Sequence, residues 1–549
     1  MKKRIALGIN CILLALCLCV MAGFHLLGKR VSYSQGDADV IAAMKATHTE
    51  AEEPFFTALA FSGEQLPYDS TTSTFYLPLD MESESWETGE LSSLADGVQL
   101  LFEDDITGTD KQEAIRSGTE FRFYAVNEKN YQECHLVATG LPVISIETAE
   151  NADTEVFGGS AYFWDNTTKV NWTSSNILEA HIRGNTSRLY PKKGYKLTLK
   201  KQNQNGDVVS DKKSLFGLRK DDEWILNAMY TDSSKIRDKL NADLWSEIGA
   251  VRSDFPSAYF GTRMTYVEVF FNHEYWGLYV LAEPVDSRQL NRTKLNEGKA
   301  EEYSYKSVTP QTLPTEELLN QPEYGLNLDG YELKGKRDTV DRSDWEPLLS
   351  YLRLRDLSTD EEFREQASTL TDREGALNIW MFLQAVLGID NRGKNIYYVA
   401  KRTESGTKMY FAPWDMDLTW GDALSENEEG GDSAWKVGLL TGLYSERINW
   451  SFGDRLIELD VDGSREYVSQ TWKTLREGVL SEESLKESID ELVHQIKDSG
   501  AYARNETRWP ESNSGQDFEL FKRLAAYRMK ILDYYFDGNL EEYMGLGYE

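Results

Sequence analysis

The run 390–417, DNRGKNIYYVAKRTESGTKMYFAPWDMD, constrains this chain more than any other stretch. It opens on Asp390 and Asn395 and closes on Asp415 and Asp417. Between them, 396–401 and 408–411 are rich in β-branched, aromatic and apolar residues, and Ser405-Gly406 separates them, so the spacing predicts a hairpin. Apolar Leu377, Trp380, Met381, Leu383 and Leu387 in 375–388 predict a helix leading into it. Such a ribbon gathers acidic and amide groups at its strand ends, and gathered carboxylates need a cation to offset them.

The order helix, acidic loop with an amide, hairpin, acidic loop is the order that protein kinases use for phosphoryl transfer. There one Asp accepts the hydroxyl proton, an Asn five residues later helps to hold a metal, and a second Asp beyond the hairpin grips Mg²⁺. Mg²⁺ takes hard oxygen ligands and only one or two protein carboxylates, so a sparse Asp/Asn set suits it. The plainer reading is that Asp390 caps a loop and Asn395 closes a turn.

Charge sets the next constraint. The 549 residues carry a formal net charge of −32, which argues against a nucleic-acid surface because phosphates would be repelled. A nucleotide would need local Lys and Arg. The stretch 181–201 has them: Arg183, Arg188, Lys192, Lys193, Lys196, Lys200 and Lys201. Alternation over 195–200 predicts a strand with Lys196, Thr198 and Lys200 on one face, able to offset a triphosphate. Lys334 is a further cation for that purpose. Six His with no clustering argue against zinc.

The start, 1–30, has Lys2, Lys3 and Arg4 before a long apolar run, and reads as an export signal or a membrane anchor with the bulk of the chain outside the cytoplasm. Three of the four Cys lie in that run, which leaves Cys134 without a partner for an internal disulfide. The polar stretch 31–53 reads as a linker. Short strand-like runs over 54–150 predict a small β-sandwich, and a new unit spans 151–549. Within it, 232–249 predicts a helix whose Arg237 reads as a surface residue. A hairpin over 266–281 carries Glu268, with Glu283 just beyond, and either carboxylate could orient a phosphate-binding Lys. The polar segment 296–328 reads as a flexible insertion or lid, and 439–543 as mostly helical.

RGNTSRLYPKKGYKLTL, WILNAMYTDSSKIRDKL, YVEVFFNHEYWGLYVLAEPVD, DNRGKN and FAPWDMDLTWG together resemble the CotH family, the spore-coat-type secretory protein kinases. The likeness covers about 151–422. It implies an α+β chain: an atypical protein-kinase-like two-lobed domain, here preceded by the small all-β, sandwich-like domain. It also implies phosphorylation of Ser or Thr in proteins, dependent on ATP and Mg²⁺ (or Mn²⁺). Carried over, Asp390 matches the catalytic Asp and Asn395 the metal-side Asn, while the metal Asp falls on Asp415 or Asp417. Arg183, Lys193 and Lys196 are then the cations facing phosphate, and Trp414 or Tyr195 stacks on the base. The chain lacks a His-Arg-Asp loop, an Asp-Phe-Gly triplet and a conventional glycine-rich loop. The expected partners are ATP and a protein hydroxyl acceptor, with no nucleic acid and with membrane contact through 1–30 if that segment is uncleaved. The protein is expected to be extracytoplasmic, anchored or secreted. The rival reading is a catalytically silent surface protein for adhesion or assembly, and a third is transfer to a carbohydrate or cell-wall polymer.

Overall fold

Strands dominate the first part of the chain and helices the last. The computed structural model describes residues 34–546 apart from 83–90, 107, 167–170, 293–301, 336–338, 426–435, 440–443 and 513–514. The expected signal or anchor lies outside the described residues. Among the described residues no helix is long and apolar enough to cross a membrane.

Two sheets build the N-terminal unit, one of seven strands and one of three. They share one core, in which Phe56, Leu59 and Phe61 meet Phe75, Phe102, Phe123 and Leu136. This is sandwich-like but not all-β. The helix Lys111–Ser117 adds Ala114 and Ile115 to the core, and the helix Ala38–Thr47 is capped by the Asp37 carboxylate. The expected linker is therefore corrected in its described part. Ser34–Gln35 pairs with Gln99–Phe102, and Thr49–Glu50 with Asn130–Thr139, so both strands belong to the sheet. Cys134 is fully buried in this core and burial pushes its thiol up, as expected of a small inert hydrophobe.

The next sheet closes on itself. The strands that close it are β1 (Val143–Glu147), β2 (Val156–Asp165), β3 (Asn171–Arg183), β4 (Gly194–Gln202), β5 (Glu223–Asn227), β6 (Met264–Phe271) and β7 (Glu274–Ala282), and the short strand Val208–Ser210 pairs with β4 outside the closure. They run in the order β3-β2-β1-β6-β7-β5-β4, and pairing of β3 with β4 completes a seven-stranded barrel. Period-two alternation sends one set of side chains inward. Ile182, Tyr195, Leu197, Leu199, Leu226 and Leu281 fill the interior, while Arg183 and Lys196 point outward. β1 had been grouped with the first unit by its sequence; its pairing with β2 and β6 puts it in the barrel.

A five-stranded sheet follows. Its strands are β8 (Tyr303–Ser307), β9 (Asn327–Leu328), β10 (Tyr331–Leu333), β11 (Ile396–Thr403) and β12 (Gly406–Pro413), in the order β9-β10-β8-β11-β12. β8 is its middle strand, so the expected lid over 296–328 is corrected where it is described: Tyr303–Ser307 is hydrogen-bonded on both sides. Three helices bear on the site. They are α1 (Arg237–Ile248), α2 (Arg342–Leu357) and α3 (Arg373–Val386). One face of the sheet packs on α2, where Tyr305 donates its hydroxyl to Asp344 O at 2.6 Å. The C-terminal part is helical, and Phe521, Met529 and Leu532 of Phe518–Phe536 join the main core with Trp380 and Leu383 of α3.

Candidate active site

The barrel's outer face and the five-stranded sheet enclose a cleft of about 1160 Å³. Its walls carry Arg183 and Lys196 on one side and Lys306, Tyr397 and Trp414 on the other. Asp390, Asn395, Asp415 and Asp417 line it from the loops, and Asp238 from α1.

The hairpin β11–β12 has the predicted register, with Ile396 opposite Pro413 and Thr403 opposite Gly406. Its open end brings the two acidic loops together. Trp414 N donates to Asn395 O at 2.9 Å. The buried Asn391 bridges the same point, its amide donating to Asn395 O and Trp414 O at 3.2 and 3.0 Å. Asn395 and Asp415 both sit in the left-handed region, at φ +59° and +58°. Strained backbone of this kind persists only where its surroundings hold it, and it concentrates at functional sites. The turn that carries Asp390, Ile389–Arg392, follows α3 after Leu387, which is also left-handed.

Asp390 accepts from Asn395 Nδ2 at 2.8 Å and pairs with Lys394 Nζ at 3.0 Å. Burial raises its carboxyl, Lys394 pulls it back down, and the charge of Asp415 raises it further. Since the Asn395 nitrogen is engaged, its Oδ1 is the atom left for a metal. Asp417 is pushed well above the usual carboxylate range by burial and then by the charges of Asp415, Asp238 and Asp390. The site is thus a half-buried knot of like charges.

α1 holds that knot in place, through residues that the sequence reading did not select. Asp238 Oδ1 accepts from Met416 N at 3.0 Å, and its other oxygen accepts from Asn227 Nδ2 at 2.7 Å. Burial and the charge of Asp415 push the Asp238 carboxyl up to about 7. Asn241 donates to Met416 O at 2.7 Å, and Arg237 Nε donates to Thr419 O at 3.1 Å. Arg237 is no surface residue, which corrects the expectation. It is buried and paired with Asp232 at 2.6 Å and Asp422 at 3.3 Å. Lys306 was also missed. Burial pushes its ammonium down to about 8 while Asp415 opposes the shift. Its Nζ lies 5.5 Å from the Trp414 ring centroid, and the Arg183 guanidinium lies 5.4 Å from the same ring.

The remaining expected residues divide. Lys196 lines the cleft, paired with Glu223 at 2.7 Å, and Lys334 lines it paired with Glu332 at 2.8 Å. Four others do not line it. Lys193 turns back onto its own loop and donates to Tyr190 O and Arg188 O at 2.6 and 2.8 Å. Tyr195 fills the barrel interior, with its hydroxyl donated to Ala152 O at 3.0 Å, so it has no face for a base. Glu268 is held by Arg504, Tyr275 and Thr139. Glu283 is fully buried and accepts from Arg219 N at 2.8 Å. Trp414 does line the cleft, but the residue is 6 % exposed and its ring takes the two cations, which leaves little of it for stacking.

The family model for CotH kinase proteins matches residues 180–527, a span that holds the cleft's acidic loops, α1 and most of the barrel. The chain belongs to the CotH family. No curated protein matches it. Among the described residues of this CotH chain, no three His, Cys, Asp or Glu side chains are grouped to hold a metal ion. The oxygens that could hold an ion at the cleft are those of Asp415, Asp417 and the Asn395 amide, hard donors of the kind that Mg²⁺ takes.

Proposed function

We propose that this CotH chain is an atypical kinase of two lobes, barrel above and helices below. It transfers the γ-phosphoryl group of ATP to a serine or threonine hydroxyl of an extracytoplasmic protein. The observation that carries this reading is the meeting of Asp390 and Asn395 with Asp415 and Asp417 at the open end of one hairpin, in a cleft that Arg183 and Lys306 also line. Crowded like charges, with the Asp390 and Asp417 carboxyls raised, call for a cation, and the Lys and Arg side chains of the cleft call for an anion.

Asn395 through Oδ1, with Asp415 or Asp417, would hold Mg²⁺ or Mn²⁺, which when bound offsets the charge of the phosphates. Arg183 from the barrel and Lys306 from the sheet, both steadied against Trp414, draw the triphosphate between the two walls. Asp390 orients the acceptor hydroxyl. The acceptor oxygen bonds to the γ-phosphorus as the bond from phosphorus to the β–γ bridging oxygen breaks. ADP departs with that electron pair, and the hydroxyl proton goes to Asp390. Catalysis of this kind is positioning and electrostatics.

A silent surface role has one observation in its favour: Asp390 is already engaged by Lys394 and Asn395. Incubating the full chain with Mg²⁺ and γ-labelled ATP separates the two. Label transferred to protein, and lost in Asp390→Ala, supports the kinase. Absence of nucleotide binding at millimolar ATP supports the silent role, and label on an offered polysaccharide but on no protein redirects the acceptor class.

A further inference from the structure

We infer that Ser304 contacts the nucleoside half of the nucleotide and so sets the direction in which ATP lies in the cleft; this rests on the reading of the cleft as a nucleotide site. Ser304 is fully buried on β8, lines the cleft, and its Oγ has no hydrogen-bond partner among the described residues. Buried hydroxyls are nearly always satisfied, so an orphan beneath a cleft points to a ligand atom as the missing partner. Alternation along β8 puts Ser304 on the same side as Lys306, while Tyr305 between them turns to α2.

Lys306 marks the phosphate end, since its Nζ and the Arg183 guanidinium lie 5.5 and 5.4 Å from the ring of Trp414, the residue next to Asp415. Ser304 lies two residues back along the strand, roughly 6–7 Å further from the acidic loops. Its neighbour across the sheet is Lys334, whose N–H donates to Ser304 O at 2.8 Å. Lys334 is itself partly exposed and paired with Glu332, so its side chain can yield to a ligand. The wall is apolar at Ile225, Met264, Ala282 and Val285, all buried and all lining the cleft. A cleft with the acidic loops and Lys306 at one end, and apolar side chains with an orphan hydroxyl beside the Lys334–Glu332 pair at the other, matches a nucleotide: phosphates towards Lys306, base and ribose towards Ser304.

The test compares two ligands on the full chain by calorimetry in Mg²⁺: ATP, and inorganic tripolyphosphate, which has no nucleoside. Ser304→Ala is expected to weaken ATP about 3- to 10-fold, the worth of one hydrogen bond, and to leave tripolyphosphate within about 2-fold. Ser304→Cys, which keeps the volume but bonds weakly, is expected to weaken ATP in the same selective way. Lys306→Met is expected to weaken both ligands. Unchanged ATP affinity in Ser304→Ala and Ser304→Cys overturns the inference while leaving the kinase reading intact. Equal weakening of both ligands overturns it too, because that is what a merely structural role produces. Failure of the unaltered chain to bind either ligand sinks the nucleotide reading and this inference with it.

Discussion

Two acidic sites, one fully buried and one half-buried in the cleft, differ in what answers their charge. Glu268, on β6, is fully buried, yet Arg504 grips both of its oxygens at 2.8 Å and the Tyr275 hydroxyl donates at 2.6 Å. Asp417, at the cleft, accepts from the neighbouring Leu418 N at 3.0 Å and otherwise feels Asp415, Asp238 and Asp390. A carboxylate gripped by its own cation is scaffold. One ringed by its own sign is, on the kinase reading proposed above, where a cation from outside would be held. Here the first ties β6 and the N-terminal Thr139 to the C-terminal helix Ala501–Arg508, and the second faces solvent through the cleft.

Substitutions can break this contrast. The largest effect is expected for Asp390→Ala: phosphoryl transfer falls by about 10²–10⁴-fold, the usual worth of a positioned base, while the melting temperature holds, as read by label incorporation and thermal unfolding together. Arg504→Ala strands Glu268 without its cation and is expected to destabilise the fold by about 3–5 kcal/mol in denaturant titration. At the acidic knot the sign reverses: Asp417→Asn removes one of the crowded charges and is expected to raise the melting temperature in metal-free buffer. If Asp417→Asn destabilises as Arg504→Ala does, the two sites are alike and the contrast fails.

Acid sharpens the same contrast, with a smaller effect. Asp238, up near 7 in the fold, binds its proton more tightly there than in the unfolded chain, where a carboxyl titrates near 3.8. Between those values the folded state holds more protons, so metal-free stability is expected to rise as pH falls from about 7. Asp232 acts oppositely. Although burial raises its carboxyl, Arg237 and Ser234 together hold it below its ordinary value of 3.8. Its contribution is present above that value and lost as pH falls through the lower folded one. Melting temperatures across pH in chelator should therefore pass through a maximum on the acid side of neutrality. A steady decline from pH 7 downward would contradict the account.

Local signals in the sequence carried the hairpin, the helix before it and the meeting of the two loops, because turn residues and periodicity are local. The alternation at Tyr195-Lys196 was legible as well. Its sense was not fully used, for if Lys196 faces out Tyr195 must face in, and barrel closure then buries it. Lys306 was hidden because YSYKS has little β-branched or aliphatic character, and only its place between β10 and β11 makes it a strand. Asp238 and Asn241 look like ordinary polar positions on an amphipathic helix. Their role comes from contact with Met416 and Thr419, about 180 residues away, which no local pattern encodes. Glu268 and Glu283 failed for the same reason in reverse, since their partners Arg504 and Arg219 are distant in sequence.

The central claim is that the acidic knot takes a divalent cation together with a triphosphate. Calorimetric titration of ATP into the full chain, with Mg²⁺ and with chelator, beside the double variant Asp415→Ala/Asp417→Ala, tests it most directly. The account predicts binding to the unaltered chain that requires Mg²⁺ and is lost in the double variant. ATP binding of equal strength in chelator, or undiminished in the double variant, would contradict it.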